Sequence, residues 1–193
     1  MSLLRTFIAT DIPPSILQSI QQKTESLRAK LEDSVHWMPV ENIHLTLKFL
    51  GNISSTNVDV LTQILATEAD SCSQFDISIS GLGSFPNSKR PRVLFIGIQA
   101  PAELDALQRG VESACARLGF KSEARPFSPH LTIGRVRQTV TFAEQKRIRE
   151  ILEETKIDSL GTASVNSVHL YNSDLKPTGA VYTKLFSAPL SKR

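Results

Sequence analysis

The tetrapeptide His44-Leu45-Thr46-Leu47 returns further along the 193-residue chain as His130-Leu131-Thr132-Ile133, each copy followed shortly by a glycine. With residue usages of a few to ten per cent, such a match among the four histidines is roughly a one-in-a-thousand chance event. Each copy alternates polar and apolar residues, the period of a β-strand. Each His therefore shares a face with its Thr, about 6.5–7 Å away along the chain, while Leu45, Leu47, Leu131 and Ile133 point to the opposite face and into a core. A fold for this chain has to place two such strands.

If the two strands lie side by side, their polar faces make a cleft with two imidazoles and two hydroxyls. In-line cleavage of a phosphodiester needs a base to activate water and an acid on the opposite side to protonate the departing oxygen. Histidine titrates close enough to neutrality for both tasks, one ring neutral and the other charged. Thr46 and Thr132 would donate to the non-bridging phosphoryl oxygens as charge shifts in the transition state, worth about 3 kcal/mol per donor. The chain lacks H-x-H, H-E-x-x-H or a second Asp/His cluster beside either motif, so neither a metal nor another cofactor is expected. The plainer reading of a single His-x-Thr is an edge strand with a surface histidine and a β-favouring threonine. It is the repetition that weighs against that reading.

The rest of the sequence bounds the answer. Length fits one domain, 1–193, and 40% hydrophobic with 21% charged residues is the balance of a folded globular chain rather than a disordered one. No apolar run reaches the roughly 18 residues of a membrane span and no signal-peptide pattern opens the chain, so a cytoplasmic location is expected. Cys72 and Cys115 lack the spacing of a zinc site or a disulfide framework. A formal charge of +3 and a pI near 9.0 agree with a polyanionic partner without requiring one.

Hydrophobic periodicity and capping signals predict strands at 4–10, 35–38, 43–50, 75–80, 93–98 and 130–136. They predict helices after Pro13-Pro14, after Ser54 or Ser55, at 102–118 before Gly119, and at 142–154. Residues 81–87 read as a loop, and 164–171 with 180–186 as a hairpin joined through 174–179. This mixture lacks the steady alternation of a parallel sheet and points to an α+β fold with mainly antiparallel pairing.

The two His-x-Thr motifs, with Arg5 to Ala9 and Pro13, Trp37 to Gly51, Gly81 to Pro86, Pro91-Arg92-Val93, Pro129 to Arg135 and Ser173 to Tyr182, resemble the two-histidine (2H) phosphoesterases. Within that superfamily they resemble the RNA 2′,3′-cyclic phosphodiesterases, long described as 2′-5′ RNA ligases. The resemblance covers nearly the whole chain. It implies a bilobal fold with pseudo-two-fold symmetry, two mainly antiparallel sheets flanking a central groove and helices outside. It also implies opening of an RNA 2′,3′-cyclic phosphate to a 2′-phosphomonoester, with His44 protonating the leaving 3′ oxygen and His130 activating water.

Phe49 matches a family position that can stack on a base, and Arg135 one that can contact phosphate. Strict alternation would put both opposite their histidines, so each strand must bend for them to reach the groove. The expected partner is RNA with a 2′,3′-cyclic phosphate end, with no membrane association and a monomeric state. His36, His169 and Trp37 are read as structural, and the basic residues 89, 90, 92, 125 and 137 as charged surface. Rival readings are a non-catalytic RNA-end binding module, 2′-5′ ligation as the reverse reaction, and hydrolysis of a small cyclic nucleotide.

Overall fold

The computed structural model describes residues 3–177 and 179–192. Thr178, inside the expected 174–179 connection, and Met1, Ser2 and Arg193, at the ends of the expected 1–193 domain, lie outside the described residues. The chain forms strands β1 (Leu3–Thr10), β2 (Val35–Trp37), β3 (Leu45–Ser54), β4 (Phe75–Phe85), β5 (Val93–Gln99), β6 (His130–Val136), β7 (Ser159–Val165), β8 (Ser167–Lys176) and β9 (Gly179–Pro189). Its helices are α1 (Pro14–Leu31), α2 (Val58–Asp70), α3 (Ala102–Arg117) and α4 (Phe142–Glu154).

Each helix has a local cause. Pro14 opens α1, where the missing N–H is no loss, and Ile16, Ile20, Leu27 and Leu31 form its buried stripe. Thr141 and Glu144 close a reciprocal capping box on α4. No helix among the described residues is long and apolar enough to cross a membrane.

All the strand pairs are antiparallel, in the order β7-β4-β5-β6-β3-β1-β8-β9, with β2 added to β6. Read outward from the middle, β3-β1-β8-β9 mirrors β6-β5-β4-β7, which is the pseudo-two-fold arrangement. The two expected sheets meet at a single residue pair, Leu45 with Leu131. The helices interlock the halves, since α1 packs on β7, α3 on β3, and α2 on α3, β8 and β9. One continuous hydrophobic cluster runs beneath the sheet, with Ile8, Leu45, Leu94, Ile96 and Leu131 fully buried.

Four sequence expectations need correction. The strand expected at 43–50 starts at Leu45 and runs on to Ser54, because Gly51 to Ser54 still pair with β1. Residues 81–85 continue β4 instead of forming a loop, because Leu82 to Phe85 pair with Val93 to Ile96. The expected strand 164–171 spans two strands, β7 ending at Val165 and β8 starting at Ser167. The hairpin of β8 and β9 is longer than predicted, with Lys176 paired to Gly179.

Candidate active site

The second motif opens β6, and the first leads into β3, with His44 immediately before its first residue. Continuing the antiparallel register of Leu45 with Leu131 puts His44 across from Thr132, and Thr46 across from His130. The two histidines thus flank the Leu45–Leu131 pair, near enough for His130 to act electrostatically on His44. Leu45 and Leu131, both fully buried, anchor the polar face from behind.

Phe49 and Arg135 join the face through matching β-bulges. On β1, Phe7 and Ala9 share a face, and their partners on β3 are Phe49 and Thr46, so Leu47 is the extra residue. On β5, Val93 and Phe95 share a face, and their partners on β6 are Arg135 and Thr132, so Ile133 is the extra residue. Each bulge opposes two residues to one and reverses the alternation beyond it. The bend required for Phe49 and Arg135 is therefore present at the same offset in both motifs. Phe49 is 66% exposed, beside the buried Phe7 ring at 6.2 Å.

Both imidazoles are fixed alike. His44 Nδ1–H donates to the Asn42 carbonyl at 2.7 Å, and His130 Nδ1–H donates to the Ser128 carbonyl at 2.7 Å. A carbonyl only accepts, so Nδ1 carries a proton in each ring and Nε2 is left as the atom that exchanges one. Aromatic rings clamp both. Phe7 stacks on His44 at 4.7 Å, with the Tyr182 ring edge-on at 5.3 Å. Phe85 and Phe95 hold His130 at 4.9 and 5.3 Å. Gly83 makes room for this, since a Cβ there would meet the Phe95 ring at 2.4 Å. Neither the Thr46 nor the Thr132 hydroxyl has a hydrogen-bond partner among the described residues, so both are open to a ligand.

The electrostatics differ between the halves. Burial pushes the His44 pKa below its ordinary 6.5; the Asn42 carbonyl and the Asp11 carboxylate push back, and His130 adds to the lowering. Burial also lowers the His130 pKa, opposed by the Ser128 carbonyl and reinforced by the Arg135 guanidinium. A carboxylate thus favours charge on His44, while a guanidinium disfavours it on His130.

Asp11 is held in place by Lys184 Nζ at 2.8 Å, by the Tyr171 hydroxyl and by His169 Nε2 at 3.4 Å. Burial raises its pKa, but the hydrogen bonds from Lys184 and Tyr171 outweigh that and keep it ionised. Asp11→Asn is expected to lower the His44 pKa further and leave that of His130 in place, as read by NMR titration of the ring protons. An unmoved His44 titration would detach Asp11 from the site.

Sequence reasoning placed both motifs but assigned no role to Phe7, Phe85, Phe95, Tyr171, Tyr182 or Asp11. Their signal is strand neighbourhood: Phe7 pairs with Phe49 and Tyr171, and Phe95 with Thr132. His36 is exposed on β2 across from Arg135, and the buried His169 bonds the hydroxyls of Ser187 at 2.8 Å and Ser167 at 3.2 Å. Trp37 packs under Arg28, whose guanidinium carbon lies 4.9 Å from the ring centre, and against Gly134, where a Cβ would meet Trp37 at 3.0 Å.

A pseudo-two-fold antiparallel sheet with one His-x-Thr at the start of each central strand defines a two-histidine phosphoesterase. The model of the 2′-5′ RNA ligase superfamily matches residues 12–177, and the chain belongs to that family. The RNA 2′,3′-cyclic phosphodiesterase of Methanocaldococcus jannaschii is 32% identical over 179 residues, covering 93% of this chain and 96% of the relative. That of Methanothermobacter thermautotrophicus is 29% identical over 182 residues, covering 94% and 96%. The crystal structure of E. coli LigT complexed with 3′-AMP superposes with a TM-score of 0.77 at 26% identity, covering 98% of this chain and 99% of that one.

Proposed function

We propose that this protein opens the 2′,3′-cyclic phosphate at an RNA end to a 2′-phosphomonoester, acting as a monomer and using its own side chains alone. The observation that carries the reading is the pair of histidines flanking the Leu45–Leu131 contact, each with Nδ1–H tied to a carbonyl and Nε2 left for proton exchange. Relatives spanning nearly the whole chain and named RNA 2′,3′-cyclic phosphodiesterases support the substrate class.

His130, kept neutral by burial and Arg135, takes a proton from water as its oxygen attacks phosphorus. The bond from phosphorus to O3′ breaks, and His44, whose charged form burial opposes and the Asn42 carbonyl and Asp11 support, gives its proton to O3′. The water's second hydrogen stays on the new phosphate oxygen, and the 2′ ester bond is kept. Thr46, Thr132 and Arg135 bind the non-bridging oxygens, and Phe49 offers an exposed ring to a base. No step calls for a cation.

The test is hydrolysis of a short RNA with a 2′,3′-cyclic phosphate end in EDTA, with 2′- and 3′-phosphate products resolved. Clean 2′-phosphate is expected. Activity that vanishes in EDTA and returns with a divalent metal would sink the metal-free reading. The pH profile of kcat/KM reports the free protein. Turnover needs one ring charged and one neutral, and both pKa values lie below 6.5, so the bell should be centred on the acid side of 6.5.

A further inference from the structure

Beside His44, with His130 outside its lining, a chamber of about 990 Å³ opens. Small-molecule sites run from roughly 300 to 1,000 Å³, so this space far exceeds what one phosphate or one ribose fills. Its lining is selective. Where the chain enters α1 the wall is Pro13 and Pro14, which have no N–H to give an anion, and the N–H of Leu17, also in the wall, is turned to the Pro13 carbonyl. Asp11 and Glu41 bring negative charge, and the lysine of the wall, Lys184, is tied to Asp11 at 2.8 Å. A phosphate is poorly served there.

Neither Arg5 nor Arg135 lines the chamber. Both act electrostatically on the Tyr182 hydroxyl, and Arg135 also acts on His130. The chamber instead offers flat and apolar surface from Tyr182 and the prolines, with acceptors from Asn42 and Glu41. Asn42 donates its amide NH₂ to the Ala180 carbonyl at 2.8 Å, and its side-chain oxygen takes up no partner among the described residues. Stacking surface with a few acceptors and no spare cation suits the base and ribose of a nucleoside.

We infer that this chamber is a second nucleoside subsite, which takes the residue preceding the cyclic-phosphate nucleotide of an RNA while its phosphates stay toward Arg5 and Arg135. The inference rests on the proposed RNA substrate and narrows it, from any cyclic nucleotide to a chain of at least two residues. A base with an exocyclic amino group meets the acceptors of Asn42 and Glu41 best.

The experiment compares a cyclic-phosphate mononucleotide with the dinucleotide carrying one more residue on its 5′ side. It uses kcat/KM for both and calorimetric affinity for their 2′-phosphate products. Wild type is expected to favour the dinucleotide at least about tenfold in both readouts. Val181→Trp on β9 and Ser164→Trp on β7 fill the chamber from two different strands and should bring that ratio toward one. Equal values for the two lengths in wild type, or a dinucleotide preference that survives both substitutions in folded protein, would overturn the subsite. Absence of mononucleotide and dinucleotide hydrolysis with the affinity ratio intact would instead overturn the proposed reaction and leave the subsite standing.

Discussion

Replacement of either His44 or His130 by Ala is expected to lower kcat by at least about 10²-fold, the low end of what one positioned acid or base supplies. The two losses should differ in their pH dependence. His44 acts charged, so His44→Ala removes the fall in rate as pH rises through its pKa. His130 acts neutral, so His130→Ala removes the fall as pH drops through its own. The double variant should be little worse than either single one, because groups acting as a unit lose their effect together. Single-turnover rates across pH, with thermal melts to show that each variant is folded, check all three statements. A folded variant with near-native turnover would take that histidine out of the reaction, and exchanged pH limbs would reverse the two roles.

The parts of this site that follow strand periodicity are legible in the sequence. His44 with Thr46, and His130 with Thr132, need only a period of two, and Leu45 and Leu131 mark the buried face behind them. Phe49 and Arg135 show where that reasoning stops. Each sits three residues past its threonine, which alternation assigns to the wrong face, and a bulge at Leu47 or Ile133 puts it right. Nothing in Leu47 or Ile133 as residue types announces a bulge, since it arises from what the neighbouring strand pairs with. Gly81 to Phe85 misled for the opposite reason: glycines that suggest a turn serve a strand, Gly83 because the Phe95 ring lies where its side chain would be. The joining of the halves at Leu45 and Leu131 is a long-range pairing that no local pattern contains. With helices crossing between the halves, we propose that the chain folds as one cooperative domain.

Lys48 carries the second large expectation. Alternation alone would turn this lysine to the groove face with Thr46; the bulge at Leu47 turns it inward instead, where it is 5% exposed. Its ammonium reaches both Glu112 oxygens on α3 at 2.8 and 2.9 Å and the Lys121 carbonyl at 3.0 Å. Glu112 also accepts the Glu123 backbone N–H at 3.1 Å. The strand of the first motif thus grips the segment that leads into the second, near the single residue pair that joins β3 to β6. Lys48→Met keeps the apolar stem but leaves the half-buried Glu112 with only the Glu123 N–H against its charge, and is expected to destabilise the protein by about 3 kcal/mol, the low end for a broken buried pair. Lys48→Met with Glu112→Leu removes both charges and should recover most of that loss. Activity should not recover with it, because the hold on residues 121–123 is gone and His130 is placed less well against His44. Urea unfolding and kcat, measured on the single and double variants, separate the two effects. A double variant with native stability and native kcat would confine the ion pair to stability, and a single variant as stable as wild type would remove it from both.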